Sequence, residues 1–73
     1  MEHAVVAGVV VFKTLGFQEV ALADGLNVRV TFASDKVKTG QIKLRDGNPF
    51  LDTPSSLLAL KEDKVRFVEI EQR

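Results

Sequence analysis

The chain has 73 residues, 45 % of them hydrophobic, with no cysteine, one histidine and ten basic residues balanced by ten acidic ones. That length makes one domain, and that apolar content excludes disorder as a description of the whole. Without cysteine there are no disulfides or thiolate metal sites, and His3 alone at the terminus does not make a structural zinc site, so neither metal nor cofactor is expected.

The first element is Ala4 to Phe12, apolar throughout and rich in valine. Its β-branched side chains suit a pleated sheet, and a run apolar on both faces reads as a buried strand, with a buried helix as the alternative. Gly8 marks a bulge or a close backbone approach. A helix needs about 20 residues to cross a bilayer, so nine do not suffice. There is also no basic n-region or cleavage site of a signal peptide. These features fit a cytoplasmic protein without a membrane role. Val5, Val6, Val9, Val10, Val11 and Phe12 are too many apolar side chains for one face of a small sheet. A domain of this size has little else to cover them, and a partner subunit is the remaining source of stability. The expectation is a homodimer with residues 4–12 at or near the interface, twofold dimers being the commonest closed assembly.

Thr14-Leu15-Gly16 reads as a turn, and Phe17, Val20 and Leu22 as a second, less regular strand. Asp24-Gly25 signals a tight turn, because glycine tolerates positive φ. Leu26 to Phe32 alternates cleanly: Leu26, Val28, Val30 and Phe32 point to a core, Asn27, Arg29 and Thr31 to water. Ser34-Asp35-Lys36 breaks the strand. Val37 to Arg45 follows, Ile42 and Leu44 inward, Gln41, Lys43 and Arg45 outward, with Gly40 as a candidate bulge. Asp46-Gly47-Asn48-Pro49 is the densest turn signal. Asp24, Asp35 and Asp46 recur every eleven residues. Aspartate favours turns by bonding nearby backbone N–H groups, so the three mark turns rather than a ligand set. Thr53 followed by Pro54 suits a helix cap and first position, which predicts a short helix near 54–62. Lys64 to Glu71 closes the series as a strand whose Val65, Phe67, Val68 and Ile70 do not alternate cleanly, implying a bulge or two-sided burial. The predicted fold is mostly β (all-β or α+β), about five antiparallel strands in a meander or small barrel with one short helix, in a single domain over 1–73.

No catalytic set is present. His3 is the only imidazole, and Ser55 and Ser56 read as first-turn helix residues rather than nucleophiles. No Gly-rich phosphate loop or calcium loop occurs. Glu69 and Glu71 share a strand face, but two carboxylates alone make a weak metal site. Neither an enzyme nor a small-molecule substrate is expected.

Charge is uneven although the total is zero. Residues 28–50 hold five basic residues against two acidic ones. If the two central strands form a hairpin, Arg29, Lys43 and Arg45 lie on one outward face, where they could engage phosphates, with Arg66 as a fourth contributor. The aromatics are all phenylalanine, and Phe32 is expected to face the core, so the stacking platform of a single-strand binder is not evident.

Several segments together resemble a known family. They are Val28-Arg29-Val30-Thr31-Phe32, then Ile42-Lys43-Leu44-Arg45-Asp46-Gly47-Asn48, Phe50, Pro54-Ser55, Asp63, Phe67 and Glu69-Ile70. Over residues 28–70 their order is similar to the core of the SpoVG (septation and sporulation regulator) family of small nucleic-acid-binding proteins. That family has an alternating strand, a strand ending in an acidic-Gly-Asn turn, a Phe segment, a Pro-Ser step and an aromatic-acidic-Ile strand. Ser56 and Leu57 stand where the family has basic residues. The resemblance implies a compact antiparallel sheet with a helix, usually dimeric. The resulting expectation is a non-enzymatic nucleic-acid-binding or regulatory protein acting as a dimer. The alternative is a protein–protein interaction or assembly module with no nucleic-acid role, on the strength of the zero net charge and the apolar first strand.

Overall fold

The computed structural model describes residues 9–71. The expectations for His3, Val5, Val6 and Gly8 lie outside the described residues. The fold is all-β: β1 (Val9–Lys13), β2 (Glu19–Ala23), β3 (Asn27–Phe32), β4 (Val37–Arg45), β5 (Asn48–Asp52), β6 (Leu57–Ala59) and β7 (Val65–Ile70). β1 and β2 form a two-stranded hairpin; the other five make an antiparallel sheet in the order β6-β5-β4-β3-β7. Strands β3 to β6 are a true meander. β7 then crosses to the far edge and pairs with β3, and neither sheet closes into a barrel.

Alternation dictates which side of the sheet is buried. Val28 and Val30 of β3, Ile42 of β4, Leu51 of β5 and Val65 and Val68 of β7 are all inaccessible or nearly so, and Leu60 joins them after β6. The hairpin supplies the cover for this apolar face. Phe12 and Leu22 reach into the same core, and Val20 packs against it. Fully burying one such side chain is worth roughly 1.5–3 kcal/mol, so the core holds the two layers together.

Backbone and side-chain hydrogen bonds tie the hairpin down at both ends. At its tip, Leu15 N donates to Val65 O (2.9 Å) and Gly16 N to Arg66 O (3.3 Å). The Gln18 side chain acts as an extra strand residue: its Nε2 donates to Val68 O (2.8 Å) and its Oε1 accepts from Val68 N (2.9 Å). At its far end the chain turns through Asp24-Gly25, with Gly25 at φ 87°. There Gly25 N donates to Ile42 O and Asp24 Oδ1 accepts from Leu44 N, which docks the turn on β4. This turn therefore passes the chain from hairpin to sheet and does not pair β2 with β3.

The three aspartates do occupy turns. Asp46 (φ 54°) and Gly47 (φ 78°) are both left-handed between the paired residues Arg45 and Asn48, a two-residue hairpin of the twist-matched kind. Asp35 is left-handed as well (φ 72°).

Two expectations are corrected. No helix forms near 54–62. Thr53 and Ser56 bond each other instead, with Thr53 Oγ1 donating to Ser56 O (2.9 Å) and accepting from Ser56 N (3.0 Å). The capping chemistry of threonine closes a hairpin loop over Pro54-Ser55, after which Leu57–Ala59 pairs with Phe50–Asp52. Two helical turns have little stability of their own, whereas the strand gains pairing and a place for Leu58 and Leu60 on the core. The strands thus number seven rather than about five, β5 and β6 being the additions.

Gly40 is not a bulge either. It pairs in register with Val28, and the irregularity lies between Thr31 and Phe32 on the β3–β7 side, where Arg66 is the extra residue. A side chain is excluded at Gly40 because a Cβ there would sit 2.3 Å from Asp52 O. Phe32 is half-buried against the core. Gly40→Ala should cost about 1–3 kcal/mol, as overpacking against backbone does. A urea titration reads this as a lowered midpoint, and an unshifted midpoint would contradict the close approach of β4 to β5.

Candidate interaction surfaces

The outward face of the five-stranded sheet carries three of the four expected nucleic-acid residues. Strand pairing sets Arg29 opposite Thr39 on one side and Glu69 on the other. Lys43 and Arg45 follow on the same face of β4, opposite Phe50 and Asn48. Lys43 lies four residues beyond Thr39, so about 13 Å separates its level from that of Arg29.

The same pairing discharges much of this patch. Arg29 Nη1 is 3.6 Å from Glu69 Oε1, and Nη2 is 3.5 Å from Glu71 Oε2. All three side chains are about half exposed, and such pairs contribute up to about 1 kcal/mol. Their larger effect here is to hold two carboxylates over the one arginine. Arg66 is elsewhere. It projects from the bulge at the opposite end of the sheet, where Nη1 meets Asp35 Oδ1 at 3.1 Å and Nη2 donates to Ala33 O at 3.1 Å. Among the described residues no ion pair involves Lys43 or Arg45, so the corner they form with Phe50 is the part of the face that keeps positive charge.

Phe50 and Phe67 also face outward, Phe50 across from Lys43 and Phe67 across from Thr31. Sequence reasoning missed both. Phe67 shares its parity with Glu69, a signal that was available. Phe50 carried no signal because its strand was hidden behind Pro49.

The hairpin offers a different surface. Its register puts Val10 and Phe12 on the side of Leu22 and Val20, facing the core. Val9 and Val11, opposite Ala23 and Ala21, face away from it and are 56 % and 65 % exposed. Of the residues expected at a dimer interface, Phe12 is thus fully used inside the monomer and Val10 is half-buried. Val9 and Val11 are outward and bare.

Sheet edges distinguish this surface further. The free edge of β7 is occupied by Leu15, Gly16 and Gln18, and β6 is only three residues long. Short or covered edges resist pairing with other chains. β1 and β2 have five residues each and pair only with one another, so each has an outer edge that carries no strand among the described residues; at the end of β1, Lys13 N donates to Glu62 Oε2 (3.2 Å).

Among the described residues no three His, Cys, Asp or Glu side chains gather into a metal-binding group, and no helix is long and apolar enough to cross a membrane. Compared with known proteins, the chain matches no family model, no curated protein and no solved structure.

The two faces of β1 make opposite stability predictions. Val10→Asp should destabilise by about 2 kcal/mol or more, since it places a carboxylate on the core side of the hairpin. Val11→Asp should leave the unfolding midpoint of the monomer within about 0.5 kcal/mol, as an exposed substitution does. Urea titrations at low protein concentration compare them, and equal losses would contradict the register of the hairpin.

Proposed function

We propose that this domain is a non-enzymatic protein-interaction and assembly module that self-associates through the hairpin β1–β2. The observation that carries this reading is the bare apolar surface of Val9 and Val11 on β1, whose outer edge carries no strand among the described residues. A second copy laid against it buries those valines, each worth roughly 1.5–3 kcal/mol when fully covered. Pairing of the two β1 edges also engages backbone groups of that edge, apart from Lys13 N, which already donates to Glu62 Oε2 (3.2 Å). The interface is isologous, the same strand meeting itself about a twofold axis. The two carboxylates held against Arg29 on the outward sheet face support a protein partner over a polyanion, since nucleic-acid affinity rests on phosphate neutralisation.

Sedimentation equilibrium tests the reading directly. The wild-type chain should be associated at micromolar concentration and Val11→Asp should lower its mass while keeping its β-rich circular dichroism. A well-folded wild-type monomer at micromolar concentration sinks the proposal.

One specific observation favours a second reading, nucleic-acid binding at the corner of Lys43, Arg45 and Phe50. It combines two outward cations with an aromatic ring, and the resemblance of residues 28–70 to the SpoVG family points the same way. A filter-binding titration of single-stranded oligonucleotide at several salt concentrations checks it. In Lys43→Glu/Arg45→Glu the slope of log K against log salt should flatten by about 1.4, two phosphate contacts at about 0.7 each. Absence of binding by the wild type even at low salt removes this reading.

A further inference from the structure

Phe17 is the most exposed large hydrophobic residue described, at 80 %. It sits at the tip of the β1–β2 loop with φ 65°, a left-handed conformation that glycine or asparagine adopts far more readily than phenylalanine. The loop is nevertheless firmly built. Phe17 N donates to Thr14 O (2.9 Å), Thr14 N to Gln18 O (2.9 Å), and Gln18 N to the buried Thr14 Oγ1 (3.2 Å). Exposed Leu15 stands beside it, Lys13 Nζ lies 5.8 Å from the ring centroid, and Glu62 and Asp63 border the same cleft. The tip is therefore a rigid aromatic knob with an acidic flank. A strained residue held by its surroundings is a pointer to use.

A complementary hollow exists on the same molecule. A cavity of about 520 Å³ has apolar walls from Phe32, Ala33, Leu58 and Ala59. Among the described residues its lining holds Lys36, Lys38 and Lys64 and no carboxylate. Its volume falls in the range of ligand pockets, ample for one phenylalanine side chain and a neighbour. Three ammonium groups around an apolar hollow meet two carboxylates and the single Lys13 ammonium beside an apolar knob, a flank that is net negative.

We propose that Phe17 of one copy of this chain inserts into the lysine-rimmed hollow of a second copy, with Glu62 and Asp63 facing Lys36, Lys38 and Lys64. Knob and hollow flank the start of β7: Leu15 N bonds Val65 O on one side, and Ala33 N bonds Lys64 O on the other. Two copies related by a twofold axis can then make the contact reciprocally. The inference rests on the reading of the domain as an assembly module but uses a surface separate from Val9 and Val11. With both contacts made, the particle exceeds a dimer.

The test uses full-length chains in the Val11→Asp background, which disables the hairpin contact, with the wild type alongside. Sedimentation velocity of Val11→Asp should show reversible association that weakens as salt rises, because the flanking charges are screened. Adding Phe17→Asn, which keeps the left-handed backbone, should raise the dissociation constant by about thirtyfold or more, the loss expected of a buried aromatic anchor. Lys36→Glu/Lys38→Glu should do the same. Mixing the Phe17→Asn chain with the Lys36→Glu/Lys38→Glu chain leaves one intact knob and one intact hollow, so hetero-association should return. Circular dichroism and the urea midpoint confirm that each variant is folded. If Val11→Asp fails to change the mass of the wild type, the hairpin reading falls, while the effect of Phe17→Asn in the wild-type background still decides this one. Association unaffected by Phe17→Asn, or a mixture that stays monomeric, overturns the knob-in-hollow contact. Phe17-dependent flotation with phosphatidylcholine vesicles, with self-association unchanged by Phe17→Asn, overturns it in favour of a membrane.

Discussion

One inner sheet face must be kept from water, and the arrangement of the whole molecule follows from that need. Five short strands present Val28, Val30, Ile42, Leu51, Val65 and Val68 on a single side, all almost wholly buried. Among the described residues there is no helix to cover them, and the cover is itself a pair of strands. A two-stranded hairpin has too little surface to be stable alone. It holds its place because Phe12 and Leu22 complete the core. Gln18, Leu15 and Gly16 bond the β7 edge while Asp24 and Gly25 bond β4. Loss of either anchorage would expose the same apolar side chains.

The anchorage has a second consequence. By occupying the β7 edge, the loop Thr14–Gln18 removes one site where another chain could add a strand. The same construction exposes the opposite side of the hairpin. A cover made of strands has two faces, and only one of them can meet the core. Strand β1 is apolar on both, so Val10 and Phe12 serve the monomer while Val9 and Val11 are left outside. Alternate residues of one strand are thus buried and bare, which is why a run of valine does not resolve the two faces until the register is known.

Much of this was legible in the sequence where patterns are local. The clean alternation of Leu26 to Phe32 placed β3 and its faces, and Asp46-Gly47 placed the β4–β5 turn. The helix was misread because Thr53-Pro54 satisfies two different local structures. The choice between them is made by distant partners, Phe50–Asp52 and the core beneath Leu58. The basic patch shows the same limit. Parity correctly put Arg29, Lys43 and Arg45 on one face, but the neutralisation of Arg29 depends on Glu69 and Glu71, some forty residues away. Only the crossing of β7 to the β3 edge brings them together. Arg66 left the patch for a related reason: the bulge that broke the alternation of the last strand also turned that side chain toward Asp35.

That crossing also decides how the two candidate surfaces compare. Had the last strand continued the meander beside β6, Arg29 would have faced open solvent and the outward face would have kept three unopposed cations. With β7 beside β3, Glu69 and Glu71 lie against Arg29, and the central part of the face loses the long-range field that draws a polyanion. On that face, among the described residues, Lys43 and Arg45 keep their positive charge at one end, while the three lysines around the hollow border the inner side of the sheet, Lys38 lying opposite Val30. The three most exposed large apolar residues described, Phe17, Val11 and Val9, lie on the hairpin and its loop, while Val37 and Leu57 are bare on the sheet. The centre of the sheet face, where Arg29 lies under two carboxylates, is a poor seat for a phosphate backbone, whereas the two most exposed valines of the hairpin and Phe17 present apolar surface of the kind that another protein covers.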